Sequence, residues 1–268
     1  MEKKTIIGVI GFFTVLTIVL CLLIPVEERN KRIEKWGELG EMSETNSMAE
    51  FIIENEELYT EDILSIFYDN NEELEFVYNY AFHKDDYKTM AFTNSELNSE
   101  DIPALYMDDT RWAYEKIYDE YIVENGCATV AITMANLYLN HNSDVDPVKV
   151  TEKAKELNAF TMFEALSAVY VADIVNSFDM NVEDFNCYEN DLLGVEHNDL
   201  ITALDEENAV VMANMMSETF GNHMIIIREY TDEGYYINDP ADPEKTAQLW
   251  DYETIEKDVA YYWIITRK

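Results

Sequence analysis

Glycine is scarce in this chain, with eight in 268 residues and no cluster able to cradle a phosphate. Positive charge is scarce too. Eighteen Lys and Arg face 55 Asp and Glu, a formal charge of −37, and such a surface repels nucleic-acid phosphates and anionic headgroups. Nucleic acid is therefore excluded as a partner. The four histidines are scattered, and His83, His141 and His197 have no metal-ligand spacing. Acidic pairs such as Asp144/Asp146 and Asp239/Asp242 lack a complete calcium-loop pattern. No metal and no cofactor are expected. The three cysteines, Cys21, Cys127 and Cys187, are too few for a disulfide framework, so each thiol is read separately.

Apolar residues are abundant, 48% of the chain with 13% aromatic, enough for a packed core. From Thr5 to Val26 no charged residue occurs. A helix needs about 20 apolar residues to cross the hydrocarbon core, so residues 1–26 are expected to be a single transmembrane anchor. No Ala-x-Ala site precedes Glu27, and Leu20 stands where a lipoprotein signal needs a small residue before Cys21; an uncleaved anchor is expected. Lys3 and Lys4 favour a start inside, whereas Arg29, Lys31, Arg32 and Lys35 follow the span.

Residues 27–58 read as a juxtamembrane helix leading into a linker, and 59–101 as a helical accessory in which Thr60 caps the first helix. Residues 102–268 form the main domain. Helices are expected from Cys127 to Leu139, Pro147 to Leu157, Phe163 to Phe178 and Asn198 to Asp205. The pattern then changes to strands at Ala209–Met215, His223–Tyr230, Tyr235–Ile237 and Val259–Thr266. Helices first and an antiparallel sheet after define an α+β fold.

Cys127 follows the Asn125-Gly126 turn and opens a helix, whose free N–H groups and dipole stabilise a thiolate. A thiolate nucleophile needs an imidazole to share its proton and an acceptor to orient that imidazole. His223 heads one apolar strand and Asp239 closes the neighbouring strand of the same hairpin. Cys187 has no partner in sequence and reads as structural.

From about Tyr59 onward the sequence resembles the papain-like cysteine peptidases of the bacteriocin-processing family, which act on double-glycine leaders. The resemblance is carried by Tyr59-Thr60-Glu61-Asp62-Ile63-Leu64, Asn71-Glu72-Glu73, Phe76-Val77-Tyr78-Asn79-Tyr80, Asp109-Thr110-Arg111-Trp112, Gly126-Cys127, Thr219-Phe220-Gly221-Asn222-His223-Met224-Ile225 and Asn238-Asp239-Pro240. It implies a papain-like fold and a Cys127–His223–Asp239 triad, with the Cys127 backbone N–H in the oxyanion hole. It also implies a peptide or protein substrate, and a domain held outside the cell membrane by the N-terminal helix.

Two departures bear on activity. The family has a glutamine donor two residues before Asp-x-Arg-Trp, where this chain has Met107, and methionine cannot donate a hydrogen bond. Ala128-Thr129 also replaces the family's Gly-Pro. Tyr106, Tyr118, Tyr121 and Asn125 are the nearby residues that could replace the missing donor. The alternatives to a thiol hydrolase are a catalytically impaired module that binds a peptide or wall component, and an acidic surface protein with a structural role.

Overall fold

The computed structural model describes residues 30–89, 91–186, 194–206 and 208–268. The expected anchor over 1–26, Cys21 and Cys187 lie outside these. Among the described residues no helix is long and apolar enough to cross a membrane. The chain divides into two compact units, Met1–Phe82 and His83–Lys268.

In the first unit, helices occupy residues 30–42, Ser47–Glu54, Glu61–Asp69 and Leu74–His83. Thr60 caps the third, its hydroxyl accepting the Ile63 N–H at 3.4 Å. The stretch read as linker also carries a helix. Asn46 caps it through the Met48 and Ala49 N–H groups, and it buries Ala49 and Ile52. The helix is held by this cap, by buried Ala49 and Ile52 at i and i+3, and by Phe51, which packs against the Tyr78 and Phe82 rings.

The second unit is α+β. Six strands, β1 (Met180–Asn186), β2 (Ala209–Ser217), β3 (Gly221–Thr231), β4 (Gly234–Asn238), β5 (Leu249–Trp250) and β6 (Val259–Arg267), form one antiparallel sheet. Their order is β1-β6-β2-β3-β4-β5. The continuous apolar runs in β2, β3 and β6 arise because both faces of the sheet are covered. Val210, Met212, Met224, Ile226, Trp263 and Ile265 belong to the core that includes the long helix Cys127–Asn140. Their strand neighbours Val211, Ala213, Ile225, Ile227, Tyr262 and Ile264 belong to a second core with Leu200 and Ile255 from the opposite helices. Period-two alternation thus places apolar residues on both sides.

The long helix is buried on nearly every side, including three of its polar residues. Thr129 and Thr133 donate to the carbonyls of Gly126 and Thr129 (both 2.9 Å), and Asn136 donates to the Asn142 carbonyl at 2.9 Å. Satisfied this way, the hydroxyls and amide avoid the cost of unpaired burial. His141, in the left-handed region at φ 49°, ends the helix.

Two expectations fail. The helix predicted from Phe163 to Phe178 is confined to Val171–Ser177 after a 3-10 turn at Ala168–Tyr170. Residues 160–166 instead form a loop closed by a Phe160–Leu166 bridge, with Glu164 at φ 58°. The Glu164 carboxylate accepts the N–H groups of Tyr118, Asp119 and Glu120 at 2.9–3.1 Å, and these bonds replace helix formation. Strands β1 and β5 were also not foreseen. In β1 the exposed Asn181 and Glu183 dilute the strand composition, and pairing with β6 overrides that weak preference.

Candidate functional site

Gly126 sets the approach to the long helix. A Cβ here would be driven into the carbonyl and side chain of Ile122, so the tight turn after the Ile122–Asn125 helix requires glycine. Cys127 follows as the first helical residue and is partly buried against the core.

The strand register brings the other two residues together. Ile226 pairs with Asn238 and Ile227 with Ile237. Continued by one residue, this register sets Asp239 opposite Ile225, so His223 is its diagonal neighbour on the same face. The contact is realised: His223 Nε2 donates to Asp239 Oδ1 at 2.6 Å. With Nε2 engaged, the ring nitrogen left to face the Cys127 sulfur, whose charge the ring couples to, is Nδ1. The structure therefore gathers all three residues singled out in the sequence.

Burial and charge act against each other in this group. Burial alone pushes the Cys127 thiol up. The hydrogen bond and positive charge of His223 outweigh it, helped by the Met224 and Ala128 N–H groups, and the net shift is downward. Burial alone would lower the His223 imidazolium, but its bonds to Asp239 and Cys127 raise it from 6.5 to about 10. The arrangement favours a thiolate–imidazolium pair.

Asp239 is fully buried. Its Oδ1 also accepts the Ala241 N–H at 2.8 Å, and its own N–H donates to Thr246 Oγ1 at 2.9 Å. Thr246 lies on the short helix Pro243–Ala247, capped by Asp242. Lys245 on the same helix places its ammonium 4.0 Å from Asp239 Oδ2, over the Phe220 ring. Phe220 packs against Trp250, whose indole N–H donates to the Lys245 carbonyl at 3.0 Å. Sequence reading passed over Lys245 and Thr246. The signal was there in Asp242-Pro243, a capping residue followed by proline at the first helical position.

The segment before the nucleophile is stapled to the same corner. Asn238 Nδ2 donates to the Ile102 carbonyl at 3.0 Å, and the Met107 N–H to the Pro240 carbonyl at 2.8 Å. Met107 is buried in the core that Cys127 packs against. Its side chain has no donor and its backbone donor is taken. The four alternatives to glutamine have other roles or surroundings. Asn125 donates to the Phe163 carbonyl at 3.4 Å, and Tyr118 is exposed and packs edge-on to Phe160. Tyr121 is buried, and the Tyr106 carbonyl accepts the Trp112 indole N–H at 2.7 Å.

The Asp-x-Arg-Trp motif is a brace. Arg111 bonds Asp109 at 2.6–3.0 Å and Glu96 at 2.7 and 3.0 Å, and lies 4.6 Å over the Trp112 ring. The planar guanidinium suits this forked, stacked geometry as lysine could not. Among the described residues no group of His, Cys, Asp and Glu could hold a metal ion.

The model of the Peptidase_C39 like family matches residues 100–268. No curated protein matches the sequence. The similar solved structures include two peptidases. One is the peptidase domain of Streptococcus ComA, a bi-functional ABC transporter involved in a quorum-sensing pathway. It is 10% identical with a TM-score of 0.40, over 54% of this chain and 93% of that one. The other is a double glycine motif protease from an AMS/PCAT transporter in complex with the leader peptide. It is 12% identical with a TM-score of 0.38, over 64% of this chain and 96% of that one.

Proposed function

Because this chain belongs to the Peptidase_C39 like family and carries its cysteine-protease type of domain, we propose that it is a cysteine peptidase acting through Cys127, His223 and Asp239. The observation that carries this reading is the His223 ring, hydrogen-bonded to buried Asp239 at 2.6 Å and close enough to Cys127 for the two to couple in charge. In the proposed reaction the Cys127 thiolate attacks a substrate carbonyl carbon. The oxyanion collects on the Cys127 N–H at the helix N-terminus. The His223 imidazolium gives its proton to the leaving amine as the C–N bond breaks, leaving a thioester. Neutral His223 then takes a proton from water, whose hydroxide releases the acid and regenerates the thiolate. Asp239 holds the ring in place throughout.

A peptide or protein is the proposed substrate. The uncharged run from Thr5 to Val26 supports a single-pass anchor in the cell membrane with the peptidase domain outside.

Met107 favours a second reading, an impaired domain that binds a peptide or wall component without turning it over. The loss of one oxyanion donor typically costs about 3–4 kcal/mol, a factor of roughly a hundred to a thousand in turnover. Alkylation separates the activated site from an inert one. The full-length protein is treated with iodoacetamide across pH, and Cys127 and Cys187 are followed separately by peptide mass mapping. Fast labelling of Cys127 below pH 7, lost in His223→Ala, is expected. Labelling with an ordinary thiol pH dependence, indifferent to His223→Ala, would sink the peptidase reading.

A further inference from the structure

Asp239 presents an unusual balance. Its carboxylate is fully buried, Oδ1 is used twice, and Oδ2 has no hydrogen-bond partner among the described residues. A bare oxygen on a buried carboxylate is costly, because the charge on that side is left without a compensating donor. The group nearest to offsetting this is the Lys245 ammonium, 4.0 Å from Oδ2.

The lysine is held there by more than charge. Asp242 caps the helix Pro243–Ala247 through the Lys245 N–H at 3.0 Å, and Thr246 ties the same turn to the Asp239 N–H. The side chain runs over the Phe220 ring, 5.2 Å from its centroid, and Nζ donates to the Thr219 carbonyl at 3.3 Å. Asp242 Oδ2 lies 3.9 Å from the ammonium on its outer side. The charged groups meeting at this corner are Cys127 from the long helix, His223 from β3, Asp239 after β4, and Asp242 and Lys245 from the short helix.

We propose that Lys245 is a positioning residue of the peptidase site: from behind Asp239, its charge offsets part of the buried carboxylate's charge and moderates how strongly that carboxylate holds the imidazolium proton. This rests on the peptidase reading above. With Lys245 in place, the pull of Asp239 on His223 is weakened enough for the proton to reach the leaving group. Removing the charge raises the affinity of His223 and Cys127 for protons alike. Both edges of the pH window in which the thiolate–imidazolium pair exists therefore move to higher pH.

The test is the pH dependence of Cys127 alkylation in the full-length protein, comparing wild type, Lys245→Met and Lys245→Arg, with thermal melts on each. In Lys245→Met the acid limb is expected to move up by about half a unit to one unit, from a charge acting at several ångströms in a partly screened site. Lys245→Arg, which restores the charge, is expected to return the limb toward wild type. A lysine that only packs on Phe220 would change the melt, or the rate at every pH, without moving the limb. An activated wild-type profile that stays in place in Lys245→Met would overturn this proposal alone. An ordinary thiol profile already in the wild type would overturn it together with the peptidase reading.

Discussion

Asp239→Asn isolates charge from shape. Asparagine can keep an oxygen where Oδ1 now accepts from His223 at 2.6 Å and from Ala241 at 2.8 Å, so the ring should stay oriented. What disappears is the negative charge. A hydrogen bond to a charged group is worth about 1.5–3 kcal/mol, against about 0.5–1.5 for a neutral one. The imidazolium should lose roughly 1–1.5 kcal/mol, or about one pKa unit. His223 starts from about 10 in the intact site, raised from 6.5. Because that pKa is raised, the stabilisation it represents is fully present below about pH 6.5 and is lost as pH rises through about 10. In the variant this upper edge comes down by about a unit. At pH 6 the ring is still protonated in both proteins, and losing a nearby negative charge lowers the proton affinity of Cys127, so the acid limb of alkylation moves down. The upper edge is read from the titration of the His223 ring signals by NMR, expected to come down by about one unit with the melt little changed. Asp239→Ala, which leaves His223 without its partner, should lower stability as well, by about 3–5 kcal/mol. The reasoning is refuted if Asp239→Asn labels with the wild-type pH profile while its fold is intact.

Two further predictions follow from the turn and the oxyanion position. Gly126→Ala should lose roughly 1–3 kcal/mol in urea unfolding, because the added methyl meets the Ile122 carbonyl and side chain, and should slow Cys127 labelling by shifting the helix start. Met107→Gln restores a side-chain donor to the family position; turnover of a peptide ester should rise by about a hundredfold to a thousandfold with KM little changed. Unchanged turnover in a folded Met107→Gln protein would mean that the position does not face the oxyanion.

Residues 102–268 announce much of themselves in one dimension. Cys127 after a glycine turn, and two apolar strands bearing His223 and Asp239 at adjoining ends, are local patterns that chain stereochemistry alone interprets. The α+β class was legible because the hydrophobic period changes from helical to strand-like after residue 208. The Gly126 requirement was equally local, since one missing Cβ decides whether the turn can close. Where the reading failed, a distant partner had decided the conformation. The loop at 160–166 depends on Glu164 capturing three N–H groups more than 40 residues away, and β1 depends on pairing with β6 at the far end of the chain. The occupied Met107 N–H and the Lys245 ammonium behind Asp239 also belong to the tertiary structure. Composition and periodicity can specify which residues are buried and which elements form. The charge balance of a buried site depends on which groups long-range packing brings within a few ångströms, and local spacing does not encode that.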